Sequence, residues 1–153
     1  MADETYSSFE RELAENGKLV YTNVGVSMLP LIREKRDVMV IETCKEAPKR
    51  LDAVLFLRDG VQGRGKYVVH RILNIRKDGS YFIAGDHDCS GEIVPKDQIL
   101  GVLTSLTRDG KPYAFRGFAY WCYLHLWCAP YHLRFFFLRV FRAVKVFFSR
   151  SSQ

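Results

Sequence analysis

A mainly β domain, preceded by one short helix and followed by a basic amphipathic helical tail, is the fold class that this 153-residue sequence predicts. Three observations carry it. The middle of the chain is a series of short apolar runs rich in β-branched and aromatic residues, separated by turn tripeptides, whereas the two ends carry helical spacing instead. The length suits one domain with tails. A content of 48% hydrophobic and 26% charged residues suits an ordinary globular chain. The expected division is a helix over 1–17, a β domain over 18–116 and an aromatic, basic tail over 117–153.

In the stretch "YSSFERELAEN" (6–16), Phe9 and Leu13 stand at i and i+4, Ser7 or Ser8 offers a cap and Gly17 a stop, which predicts a short amphipathic helix. The strands follow as "DVMVIE" (37–42), "DAVLFLR" (52–58), "KYVVHRILNIR" (66–76), "SYFIAG" (80–85) and "QILGVLTSLT" (98–107), broken by "RDG", "KDG" and "RDG" turns. In the tail, winding at 100° per residue brings Arg134, Arg139, Arg142 and Lys145 into one arc of roughly 140°. Phe136, Phe137, Val140, Phe141, Ala143, Val144, Phe147 and Phe148 take the opposite side. The closing "SRSSQ" is expected to fray.

Charge is divided unevenly. Residues 1–22 hold five acids against two bases, and residues 108–153 hold eight bases against Asp109, so an anionic partner is expected at the C-terminal end. The acidic N-terminus has no apolar core of a secretory signal, and four irregularly spaced cysteines make no disulfide framework. A cytoplasmic chain with free thiols is expected, with a peripheral position on the inner face of the membrane as the variant of that reading. Segment 117–133 is shorter than the roughly 20 residues a spanning helix needs and is interrupted by His125, Pro130 and His132. Residues 133–148 are then expected either to lie in the interface of an anionic membrane or to close the β domain's core with their apolar face. The spacing of Cys122, His125, Cys128 and His132 does not match a zinc finger, so no metal and no cofactor is expected. Phe, Leu and Val flank the tail's bases without a nucleic-acid reading motif, so no nucleic acid is expected either.

Two residues point to chemistry. Ser27, in "VGVSMLPLI" (24–32), is a hydroxyl in an apolar stretch, and a serine becomes a nucleophile only when a base takes its proton. His70 lies within the apolar strand "YVVHRIL", where alternation puts Val68, His70 and Ile72 on one face and Val69, Arg71 and Leu73 on the other. Apolar neighbours penalise the charged imidazole, keeping it neutral and able to accept a proton. A core histidine and an ordinary turn serine are the plainer alternative.

Three blocks in order extend this pair. "GVSMLPLIREKRDVMVI", "RLDAVLFLRDGVQGRGKYVVHRIL" and "YFIAGDHDCSGEIVPKDQILGVL" together resemble the S24/S26 peptidases, the clan of signal peptidases and self-cleaving LexA-type repressors, from about Leu19 to Leu103. The resemblance implies the mainly β fold of that clan and a serine endopeptidase that cleaves a leader or signal-like peptide. "VVHRIL" is similar to the histidine type found in the endoplasmic-reticulum signal peptidases, which implies Ser27 as nucleophile and His70, followed by Arg71, as general base. Asp86 matches the clan's Gly-Asp aspartate and is implied to orient the imidazole, with Glu92 as second candidate. Met28, Pro30 and the neighbouring apolar residues are implied to border the substrate cleft. Gly25 and Val26 stand where many relatives have a hydroxyl or glycine next to the nucleophile, which leaves oxyanion stabilisation to backbone N–H groups, including that of Ser27. A catalytically inactive peptide-binding or membrane-docked scaffold of the same fold is the alternative. No helix-turn-helix unit fits before Ser27, so a repressor is not expected.

Overall fold

The computed structural model of the chain describes residues 2–22, 24–58 and 65–150. The turn expected at 58–60 lies mostly outside them, as do the last residues of the tail expected to fray. The first element is α1 (Ala2–Asn16). The strands are β1 (Lys18–Thr22), β2 (Asp37–Thr43), β3 (Ala53–Arg58), β4 (Lys66–Ile75), β5 (Tyr81–Ala84), β6 (Glu92–Val94), β7 (Ile99–Arg108) and β8 (Lys111–Tyr113). All pair antiparallel in one curled sheet of order β1-β2-β7-β3-β4-β5-β6, with β8 added to β7. A mainly β architecture between an N-terminal and a C-terminal helix is therefore the fold.

Local chemistry accounts for the ends of the elements. Gly17 closes α1 with φ of 68°, its N–H donating to Leu13 O at 3.0 Å, because a left-handed stop costs glycine little. The second "RDG" makes the β7–β8 hairpin: Arg108 pairs with Lys111, and Asp109 and Gly110 both take positive φ, the twist a two-residue turn requires.

The sheet buries both faces at its centre. On one face Met39, Ile41, Leu55, Val69, Leu103 and Leu106 pack with Leu13 of α1 and with Met28, Leu31 and Ile32 from the β1–β2 connection. Phe9 of α1 touches Tyr21 and Tyr67 with ring centroids 5.2 and 5.3 Å away, so the Phe9/Leu13 stripe is the buried side of that helix. The other face joins Val54, Phe56, Ile72, Ile83 and Val94. β3 serves both, which explains its unbroken apolar run.

The tail continues as α2 (Phe118–Cys122), a π-helical turn (Tyr123–Cys128) and α3 (Tyr131–Arg150). Among the described residues, no helix is long and apolar enough to cross a membrane. The helix of the tail and its two-sided pattern are present, yet α3 docks by the side that carries its arginines together with Phe135 and Leu138. Arg134, Phe135 and Leu138 are buried, whereas Phe136, Phe137, Val140, Phe141 and Val144 are exposed. The expectation that the apolar face closes the core is thereby corrected. The physical reason is that the turn over 85–89 after β5 offers this helix carbonyl and carboxylate oxygens, which arginines can satisfy and phenylalanines cannot.

Candidate active site

Ser27 belongs to the connection between β1 and β2, which is pinned from below. The Met28 side chain is fully buried, as is that of Ile32, whose N–H donates to Met28 O at 2.9 Å. Buried Asp37 at the start of β2 receives Arg33 Nη2 at 2.7 Å and Arg108 Nη2 at 3.1 Å, while Arg108 also donates to Leu31 O at 2.6 Å. Burial alone would raise the Asp37 pKa, but these guanidinium bonds outweigh it and hold the carboxylate below its ordinary range. A second attachment comes from the turn after β5. His87 N–H donates to Ser27 O at 2.8 Å, and Gly85 passes so close that a Cβ there would lie 2.5 Å from Ser27 O and 2.9 Å from Ser27 Cβ.

His70 stands in mid-β4, paired with Val54 of β3, its ring 6.0 Å from that of Phe56. β5 ends at Ala84, opposite Arg71, so the turn over 85–89 lies beside the imidazole. There Ser27 Oγ is 3.0 Å from His70 Nε2. The hydroxyl can donate to a neutral imidazole, which is the geometry a serine and its general base require. His70 is only 4% exposed, and burial pushes its pKa below the ordinary 6.5. Asp88 and Glu92 oppose that shift and Arg58 adds to it. The pair opens on a cleft of about 360 Å³ bordered by Gly25, Val26, Tyr67, Val68 and Asp88 among others.

The remaining candidate residues are placed as follows. Asp86, matched to the residue that orients the imidazole, is completely buried on the opposite face of β4 from His70. Its carboxylate receives Arg71 Nε at 2.8 Å and Arg71 Nη2 at 2.6 Å, and Tyr123 Oη also donates to it. Alternation along β4 is the reason: if residue 70 points at Ser27, residue 71 must point away and takes Asp86 with it. Arg71 and Met28 are thus interior groups and do not border the cleft, which corrects the position expected of Met28 and leaves Arg71 a supporting residue. Pro30, after a cis peptide bond, is exposed and also does not border it. Gly25 and Val26 do, Gly25 with φ of 128° and its N–H donating to Glu34 Oε1 at 3.1 Å.

Glu92, the second candidate, is the carboxylate on the far side of the imidazole, with Oε1 3.8 Å from Nδ1. Arg58 grips it with both Nε, at 2.7 Å, and Nη2. His70 Nδ1 is buried and makes no hydrogen bond among the described residues. Asp88 Oδ2 lies 3.5 Å from Nε2 and accepts from Gly85 N–H at 3.1 Å. Arg58 and Asp88 carried no signal that separated them from any surface charge. "GDHD" offered two aspartates, and only the bend of the turn assigns one to Arg71 and the other to the histidine side.

Cys128 is buried, its thiol pushed up to about 12 by burial and the nearby Asp86 carboxylate, and it lies 3.6 Å from Asp86 Oδ1. All four cysteines are free thiols. Among the described residues, no three His, Cys, Asp or Glu side chains are grouped to hold a metal ion. No protein-family model, curated protein or solved structure matches the chain.

Proposed function

We propose that the chain is a serine endopeptidase of the signal-peptidase type, in which Ser27 attacks a peptide carbonyl while His70 removes its proton. The observation that carries this reading is the 3.0 Å contact between Ser27 Oγ and His70 Nε2 at the edge of a cleft, with an imidazole that burial keeps neutral near pH 7. Attack forms a tetrahedral oxyanion, for which backbone N–H groups beside the nucleophile, that of Ser27 among them, are the donors. The protonated histidine then gives its proton to the leaving amine. Water, deprotonated by the same histidine, hydrolyses the acyl-enzyme and restores Ser27. In this scheme Glu92 steadies the imidazolium from the Nδ1 side, a movement of less than an ångström being enough to close 3.8 Å to a hydrogen bond. Asp86 supports the site from behind through Arg71. The substrate is an extended peptide or a leader segment of a protein.

A second reading, a peptide-binding protein without turnover, has one observation in its favour: Nδ1 lacks an acceptor while Arg58 holds Glu92. A fluorophosphonate probe separates the two. The peptidase reading expects covalent labelling of the full chain at Ser27 and none of Ser27→Ala, with His70→Ala slower by about 10³-fold or more. Wild type that neither labels nor cleaves a broad peptide library, while still binding peptides, establishes the second reading.

A further inference from the structure

α3 is attached to the protein the wrong way round for a surface helix in water. Helices on soluble domains turn apolar side chains inward and charges outward. Here Arg134 is 3% exposed, with Nη2 donating to Gly85 O at 3.3 Å and Nη1 lying 3.8 Å from Asp86 Oδ1. Arg139 Nε donates to Cys89 O at 3.1 Å, and Arg142 Nη2 to His87 O at 3.0 Å. The guanidinium groups are thus bonded to the turn beside the active site. On the outer side stand Leu133, Phe136, Phe137, Val140, Phe141 and Val144, each between 45 and 70% exposed. They recur at i, i+3, i+4, i+7, i+8 and i+11, one stripe along the helix. Phe118 and Trp121 of α2, stacked with centroids 6.2 Å apart, add two more exposed aromatic rings.

We propose that this outward face of α3 is a bilayer-docking surface that inserts its apolar stripe into the lipid interface, by burial of aromatic side chains and not by attraction of its arginines to anionic headgroups. The composition and width of the stripe select the occupant. A seam for a second helix is narrow and is flanked by outward charges that set its register. This stripe covers roughly 140° of the helix, and Arg134, Arg139 and Arg142 on the other side bond the protein. Two copies would also bring together chains of net charge +6, which disfavours self-pairing. Large aromatic and aliphatic side chains on an outward helix face match the chemistry of the acyl–headgroup boundary. Because the arginines of the same helix bond the 85–89 turn, a docked α3 holds the Ser27 cleft roughly one helix diameter, ~10 Å, from the lipid. The inference stands independently of the peptidase reading, since binding to lipid is measured without turnover.

The test is vesicle flotation of the full chain. Wild type is expected to float with pure phosphatidylcholine vesicles and to stay bound in about 1 M salt, where surface electrostatics are screened. Phe137→Glu/Phe141→Glu, at positions 63 and 70% exposed and so compatible with folding, is expected to lower the bound fraction by about tenfold or more. Circular dichroism of that variant checks that the fold is kept, and Val140→Glu/Val144→Glu repeats the test on the same stripe. Failure of wild type to float overturns the proposal. Flotation only with phosphatidylglycerol-containing vesicles at low salt, flotation that both double variants retain, or a wild-type dimer in gel filtration that the variants dissociate, does so equally.

Discussion

His70 combines two properties that work against each other in water: it is a base close to a hydroxyl, and it is almost fully withdrawn from solvent. Burial disfavours the imidazolium, so its pKa lies below 6.5 and the neutral form, the only one that can accept a proton, prevails at pH 7. On the proposed peptidase reading, kcat/KM is therefore expected to be flat above neutrality and to fall only as the pH drops through that lowered pKa. Glu92 sharpens the prediction. Its charge raises the His70 pKa, and the charge of its partner Arg58 lowers it. In Glu92→Gln the raising charge is gone and the lowering one is unpaired, so the acidic limb moves to lower pH. The imidazolium formed during attack also loses a stabilising neighbour, and the plateau rate is expected to fall by about 10- to 100-fold. A pH profile of the variant that superimposes on wild type would remove Glu92 from the mechanism.

At the scale of elements, the turn over 85–89 holds more of the site together than any strand does. It bonds Ser27 O through His87, places Asp88 near Nε2, and sends Asp86 inward to Arg71. Both members of that ion pair are completely buried, so neutralising one leaves the other as an unpaired interior charge. Asp86→Asn is expected to destabilise the protein by about 3–5 kcal/mol in urea unfolding, and Arg71→Met/Asp86→Leu to recover only part of that loss, because buried Arg134, 3.8 Å from Asp86 Oδ1, then keeps an uncompensated charge. Were Asp86 instead the partner of His70, Asp86→Asn would shift the pH profile and leave stability nearly unchanged.

Over the whole molecule, the tail completes the site from outside the sheet. Tyr123 donates to the Asp86 carboxylate, Trp127 Nε1 to Asp86 O at 3.0 Å and Arg134 to Gly85 O, while Phe135 packs on Leu73 and Ala84. A chain ended after Arg116 loses all of these and uncovers the Arg71–Asp86 pair. Its melting temperature is expected to fall by roughly 10 °C or more, together with any labelling of Ser27. Equal melting temperatures for the two lengths would show that the sheet sustains its turn unaided.

Much of this architecture was legible before any coordinates. β2, β3, β4, β5 and β7 follow the apolar runs to within two residues at every end, because period-two burial and β-branched side chains leave a direct mark on sequence. β6 and β8, three residues each, are too short to leave such a mark, and they exist because a neighbouring strand offers them a ladder. Ser27 and His70 each stood out because its own segment is otherwise apolar, but it was the resemblance of three ordered blocks, not this local pattern, that joined them as a pair. The acidic partners were not legible. Two aspartates and a glutamate within seven residues of a turn have no intrinsic direction, and pairing over 15 to 34 positions with Arg71 and Arg58 decides which one faces the histidine. The tail divides in the same way. Its helix and its two opposed faces are properties of 100° spacing and belong to the sequence alone. Which face turns inward depends on what the opposing surface offers, and here that surface is the set of oxygens at the turn over 85–89, which arginine satisfies and phenylalanine does not.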